Sequence, residues 1–213
     1  MTNRYFGTAR REILPWLPQT CERVLEVGCG TGATLAAIRE TKPVSYALGV
    51  EPDESSANLA KANFDHVITS FVEDAPIEAN AQAESLDLIL CLDVLEHLVD
   101  PWATVKRLTP LLKTGGRMIV SLPNIRNWKF IRGLFFKGSF RYTDAGLLDR
   151  THLRFFVRET AIELIECGGL KLVDCVDAKD YSPFEFRKIL MTLTAGGMSD
   201  LLAKQYIIVA DKK

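Results

Sequence analysis

The chain is short of the features that would give it a shape or a partner cheaply. Its five cysteines (Cys21, Cys29, Cys91, Cys167 and Cys175) form no CxxC pair and are odd in number, so free thiols in a reducing compartment are expected. No apolar run approaches the roughly 18 residues of a membrane span, and the N-terminal MTNRYFGTARRE lacks the apolar core of a secretory leader. These absences together lead us to expect a cytoplasmic protein. An excess of one charge is also missing, because 26 Lys and Arg against 27 Asp and Glu leave a formal net charge of -1. No nucleic-acid partner is therefore expected, since such a partner usually calls for a broad positive face.

What remains is a core. A chain of 213 residues with 47% hydrophobic and 25% charged residues suits one α/β domain over positions 1–213. Apolar runs alternate with helical patterns from end to end. Strands are expected at Arg23–Val27, Ser45–Val50, His66–Ser70, Leu86–Leu92, Arg117–Leu122, Leu170–Val176 and Gln205–Ala210. Helices are expected at Asn3–Leu14 (within an N-terminal element of 1–20), Ala33–Glu40, Glu54–Asn63, Pro101–Leu112, Arg158–Cys167 and Phe184–Leu193. Gly115 and Gly116 suit the stop of the helix that Pro101 opens. Strands separated by helices pair in parallel through right-handed crossovers. The expected fold is a Rossmann-like three-layer sandwich with a seven-stranded, mostly parallel sheet and an antiparallel last strand. Positions 124–156 break the rhythm and read as a small cap inserted after the fifth strand. Between Asn124 and Tyr142 there are five basic residues and no acid, interleaved with Trp128, Phe130, Phe135, Phe136, Phe140 and Tyr142.

The stretch VLEVGCGTG puts Gly28, Gly30 and Gly32 on a strand-to-helix turn. Such a turn brings backbone N–H groups and a helix N-terminus to one spot, which suits a nucleotide-like ligand. An acid ends the next strand at Glu51, 19 residues beyond Gly32, where its carboxylate can accept from two ribose hydroxyls. A dinucleotide turn reads GxGxxG, with the third glycine bringing a helix close to the pyrophosphate. Here the pattern is GxGxG, and no Lys or Arg lies between Val24 and Ala37. An adenosine without phosphate fits better.

Five segments in this order, VLEVGCGTG, GVEPD, SLDLILCLDVLEHLVDP, LLKTGGRMIVSLPN and QYIIVADKK, resemble the class I S-adenosylmethionine-dependent methyltransferases. YTDAGLLDRTHLRFF is similar to a bacterial subgroup associated with glycan and lipid biosynthesis. The resemblance implies S-adenosylmethionine as cofactor and a small-molecule, sugar or lipid-linked acceptor, methylated at oxygen. It places Gly28, Cys29, Gly30 and Gly32 along the methionine portion, with Glu26 ordering the turn. Glu51 would hold the ribose, and Pro52 would lie against the adenine. At the position of the aspartate that the family carries after its third strand this sequence has Phe71, so either Phe71 packs on the adenine or Asp74 reaches it after a register shift, with the backbone of Val72 able to read its edge. Cys91, Leu92 and Asp93 end the fourth strand and would face the sulfonium and the acceptor.

Methyl transfer to oxygen needs alignment and a proton acceptor. His97 follows Asp93 by four residues, on the same face if the segment turns helically. His152 follows the insertion and can come down onto the acceptor from above. Each has a bland alternative, bracing a loop or packing among Phe155 and Phe156. Arg150 and Arg154 either bind an anionic group of the acceptor or anchor the insertion. Asp93, Glu96 and His97 are too close in sequence to converge easily on one ion, and no metal is expected. The 124–142 segment either caps the site or makes peripheral contact with anionic lipid. The N-terminal element either packs on the sheet or closes over the methionine tail through Tyr5 or Arg10. Two other functions remain open at this point: a non-catalytic S-adenosylmethionine-binding regulator, and a nicotinamide-dependent oxidoreductase using the same glycine turn and acid.

Overall fold

The computed structural model describes residues 7–178 and 199–213. Its strands are β1 (Arg23–Val27), β2 (Tyr46–Val50), β3 (His66–Ile68), β4 (Leu86–Leu92), β5 (Leu112–Pro123), β6 (Leu170–Ala178) and β7 (Gln205–Lys212). They form one sheet in the order β3-β2-β1-β4-β5-β7-β6. The pairs β3–β2, β2–β1, β1–β4 and β4–β5 are parallel, and β7 runs antiparallel to both β5 and β6. The expected doubly wound sheet with its reversed last strand is present. Strand order turns back between β1 and β4, the switch point where open α/β sheets bind ligands at the carboxyl ends of their strands.

Helices are α1 (Ala33–Arg39), α2 (Glu54–Ala60), α3 (Pro101–Leu108), α4 (Trp128–Lys137) and α5 (Arg158–Glu166). Local chemistry sets their ends. Asp53 accepts the Ser56 N–H at 2.8 Å and Asp100 accepts the Ala103 N–H at 2.9 Å, so both are N-caps. The sheet separates two apolar clusters. One joins Leu25, Val27 and Ile89 to Val105 and Leu108 of α3 and to Leu164 and Ile165 of α5. The other joins Val24, Leu88 and Leu90 to Leu35 and Ile38 of α1 and to Ala60 and Phe64 at the end of α2. Successive residues of β1 and β4 thus feed opposite faces, as the two-residue period of a strand requires.

Two expectations need correction. Instead of a helix over Asn3–Leu14, the described part runs irregularly to Arg10 and then forms a 3-10 helix at Arg11–Trp16 with Pro15 inside it. The Arg10 N–H donates to the Thr34 hydroxyl at 3.3 Å, a tertiary bond that competes with helical pairing. Gly115 and Gly116 do not end α3, which stops at Leu108; they lie within β5, Gly115 at φ +77°. A side chain at Gly116 would meet the Leu86 carbonyl at 3.0 Å, so that glycine serves the irregular start of the β4–β5 pairing. The expected helix Phe184–Leu193, and Tyr5, lie outside the described residues.

Candidate active site

The turn after β1 is built from left-handed glycines, with φ of +68° at Gly28, +53° at Gly30 and +82° at Gly32. What passes close to Gly28 is the protein itself: an added Cβ would stand 2.4 Å from Val94 Cγ2. The turn's donors are taken as well. The Gly28 and Cys29 N–H groups donate to the Val50 carbonyl at 2.8 and 3.2 Å, and Gly32 N–H donates to Cys29 O at 2.9 Å. The Gly30 N–H donates to Glu51 Oε2 at 2.8 Å. The expected cluster of free N–H groups is therefore absent at these four positions, and a phosphate would find no donors on them.

Acceptors remain instead. Glu26 is buried beneath the turn, its Oε2 without a hydrogen-bond partner. Burial pushes its pKa up to about 8, against a hydrogen bond from Thr34. Glu51 is buried too and accepts the Asp53 N–H on Oε1 at 3.0 Å. Burial raises its pKa, while the hydrogen bonds from Asp53 and Gly30 pull the other way. Each Glu51 oxygen holds one protein hydrogen, which leaves lone pairs for hydroxyl donors. The set fits an ammonium and a ribose, the two ends of a sulfonium nucleoside with an amino-acid tail.

The other expected contacts divide. Pro52 is exposed beside Glu51. Phe71 is 65% exposed, its ring available to a flat ligand, while the Val72 carbonyl accepts Arg107 Nη1 at 2.8 Å. Cys29 is buried, with Sγ 2.8 Å from where a Cβ on Gly49 would lie. Cys91 and Leu92 are core side chains on opposite faces of the sheet, and burial pushes the Cys91 thiol up to about 12.

Asp93 does not act as the partner of His97. It sits at φ +58° and accepts Ser121 Oγ at 2.7 Å and Gln205 Nε2 at 2.8 Å on Oδ1, while Arg10 pairs with Oδ2. Arg10 also reaches Gln205 Oε1 at 3.2 Å, so the N-terminal segment is strapped across the ends of β4 and β7. The following residues make a 3-10 turn, Leu95–His97, that directs His97 elsewhere.

His97 meets His152. Their rings stand edge to face with centroids 4.7 Å apart. His97 Nδ1 lies 3.2 Å from Thr151 O, and His152 Nδ1 lies 3.0 Å from Leu147 O. Burial lowers the His152 pKa, and a charge on His97 would lower it further. Glu96 completes the group. Its ligand atom and one from each imidazole all lie within 4.8 Å of one another. Sequence reasoning set Glu96 aside, although an acid between the core residues Leu95 and Leu98 signals a buried carboxyl. What the sequence could not supply was the meeting of His152 with Glu96 and His97, which only the path of the insertion brings about.

That insertion is closed at its base by a bridge between Asn124 and Phe156. Arg154 donates to the Val99 carbonyl and lies 5.6 Å from the Trp102 ring, and Arg150 pairs with Asp144 at 2.7 Å. Arg154 thus fastens the insertion to the start of α3, while Arg150 is exposed. Helix α4 buries none of its side chains. Among the described residues no helix is long and apolar enough to cross a membrane.

Comparison with known proteins bears on this site. The family described as "Methyltransferase domain" matches residues 2–174. A ubiquinone biosynthesis O-methyltransferase of Bradyrhizobium diazoefficiens is 34% identical over 109 residues, covering 50% of this chain and 42% of that protein. One from Coxiella burnetii is 29% identical over 167 residues, covering 72% of this chain and 65% of that protein. The chain thus spans 42% to 65% of the length of these two curated relatives. A crystal structure from Archaeoglobus fulgidus, described as a SAM-dependent methyltransferase, superposes with a TM-score of 0.68 at 19% identity, covering 95% of this chain and 90% of that one. At that identity the likeness speaks to fold alone.

Proposed function

The chain belongs to the methyltransferase-domain family, and from that premise we propose that it uses S-adenosylmethionine to methylate a hydroxyl of a small or lipid-linked acceptor. One observation carries the cofactor reading. The N–H groups of Gly28, Cys29, Gly30 and Gly32 are consumed by the protein, while a buried Glu26 oxygen beside them has no partner. A turn offering an acceptor rather than donors selects an ammonium over a pyrophosphate. This disfavours the nicotinamide alternative.

In this reading Glu26 and the glycine turn hold the methionine ammonium. Glu51 accepts the ribose hydroxyls, and Phe71 and Pro52 flank the adenine. S-adenosylmethionine, when bound, supplies an electrophilic methyl on a sulfonium. The chain's own contribution is to fix that methyl and the acceptor oxygen in line and to exclude water. Arg10, strapped to Asp93 and Gln205, closes the methionine end. The imidazoles of His97 and His152 take the proton that the acceptor hydroxyl gives up. With each Nδ1 donating to a carbonyl, Nε2 keeps the lone pair that this role needs. An oxygen acceptor agrees with the names of the two relatives above. Arg150, exposed and paired with the exposed Asp144, is the better candidate for an anionic group on the acceptor, since Arg154 is held to Val99 and Trp102.

The acceptor's lipid character rests on α4. Its exposed Phe135 and Phe136, together with Lys129, Arg132 and Lys137, make an apolar and basic surface suited to an anionic bilayer.

Calorimetry and radiolabel transfer test the whole reading. S-adenosylhomocysteine should bind with one site per chain and NAD should not. Tritiated methyl should pass to a hydroxylated lipid or small molecule of a cell extract in preference to a nucleotide sugar or to RNA. Binding of NAD in place of S-adenosylhomocysteine would overturn the cofactor reading. Binding without labelled product over a broad lipid and metabolite extract would instead favour the non-catalytic regulator.

A further inference from the structure

We propose that Glu96, His97 and His152 form a binding site for one first-row divalent metal ion of the zinc class. The proposal concerns binding and does not depend on the methyl acceptor. Among the described residues this is the one group of three metal-ligating side chains whose ligand atoms converge within 4.8 Å of one another. The ligands come from two separate parts of the chain, the turn after β4 and the end of the insertion.

Three further observations make it a built site. Glu96 is 1% exposed, and neither carboxylate oxygen has a hydrogen-bond partner. Two orphan oxygens on one buried side chain require an explanation, and a bound cation is one. Secondly, the facing imidazoles are already oriented. Thr151 O and Leu147 O can only accept, so each Nδ1 carries its hydrogen and donates, leaving Nε2 with a free lone pair. Metal-binding histidines are held in this way by carbonyls on their other nitrogen. Thirdly, the backbone around the site is fixed. The Glu96 carbonyl accepts the N–H groups of Leu153 at 2.8 Å and Arg154 at 3.0 Å, which ties the two ligand-bearing segments together.

Bonds of about 2.0–2.2 Å to nitrogen and oxygen are shorter than the present spacing of up to 4.8 Å allows, so binding requires the three side chains to draw together. Two imidazoles and one carboxylate suit zinc, and three protein ligands leave a fourth position open. An ion here would clamp the insertion to the end of β4. It would also occupy the lone pairs assigned above to the proton acceptor, so the two roles can be separated experimentally.

The test uses the full chain, freed of metal by chelation and titrated with zinc by calorimetry and with cobalt(II) by visible absorption. One equivalent should bind with a Kd in the micromolar range or below, and cobalt should give the absorption of a low-coordinate site. Glu96→Gln and His152→Ala should each weaken binding at least tenfold, and His66→Ala, outside the site, should not. Glu96→Gln keeps the side-chain shape and puts no charge at the buried position, so it should fold, which circular dichroism checks. Zinc should raise the wild-type Tm logarithmically with free zinc above Kd, and raise the Glu96→Gln Tm less at the same free zinc. No binding up to millimolar zinc, or equal binding by all variants, would overturn the site. Methylation at full rate by metal-free protein would leave the imidazole base standing and deny the ion a part in catalysis. Metal binding without methylation would keep the site while removing the acceptor reading.

Discussion

Glu51 is the lock on the glycine turn, because its Oε2 takes the Gly30 N–H at 2.8 Å and so joins the end of β2 to the loop after β1. The same carboxylate accepts the Asp53 N–H at 3.0 Å, beside the cap of α2. One side chain therefore fixes the backbone on both sides of the proposed ribose position while keeping lone pairs for hydroxyl donors. Glu51→Ala should weaken S-adenosylhomocysteine binding by about 1.5–3 kcal/mol, the scale of hydrogen bonds to a charged group. Calorimetry should read this as a rise in Kd of roughly 10- to 150-fold. An unchanged Kd would remove the ribose assignment.

Glu26 gives a pH signature with a definite sign. Buried, it titrates at about 8, against an ordinary value of 4.5. Between those values the native state holds a proton that the unfolded state has released, so stability falls as pH rises through that interval. Above about 8 both states are ionised and the penalty stays constant. Glu26→Gln should remove the slope and raise the Tm at pH 8 relative to wild type. It should also weaken cofactor binding. A Tm profile that Glu26→Gln leaves unaltered between pH 5 and pH 8 would show that Glu26 is ionised in the free protein.

Gly28 separates backbone strain from crowding. Alanine there must adopt φ +68° and place its Cβ 2.4 Å from Val94 Cγ2. The left-handed conformation costs about 1–2 kcal/mol, and overpacking adds roughly 1–3 kcal/mol. Urea denaturation of Gly28→Ala should show the sum, and adding Val94→Ala should recover only the second part. Recovery of wild-type stability in the double variant would mean that the turn needs a small residue but not a glycine.

Much of this molecule was legible in its sequence, and the failures share one cause. β1, its glycine turn and Glu51 were readable because apolar runs, glycine spacing and an acid at a strand end are local signals. The antiparallel last strand, expected from the sequence, is β7, which runs antiparallel to β5 and β6. Long-range pairing was not readable. Arg10 leaves a helical path to bond Thr34 and Asp93, and Asp93 spends its carboxylate on Arg10, Ser121 and Gln205 rather than on His97. Gly115 and Gly116 follow a helix in sequence, yet they serve the approach of β5 to Leu86. The convergence of His152 on Glu96 and His97 depends on where a long insertion re-enters. No periodicity encodes that point.

That insertion supplies the last prediction. Helix α4 has no buried side chain, and Phe135 and Phe136 are 79% and 69% exposed. Trp128 stands two turns before Phe135 on the same face, and the helix carries Lys129, Arg132 and Lys137 with no acid. Each phenylalanine gains about 1.5–3 kcal/mol on full burial, and each basic residue about 1 kcal/mol at an anionic surface. The two contributions respond to different reagents. Wild-type protein should sediment with vesicles containing phosphatidylglycerol and much less with pure phosphatidylcholine. Raised salt should release part of it by screening the basic residues. Phe135→Ser with Phe136→Ser should lower partitioning at least tenfold at every salt concentration, without loss of calorimetric cofactor binding, because neither side chain packs against the sheet. Partitioning that the double substitution leaves intact would mean that α4 is not the surface that meets lipid.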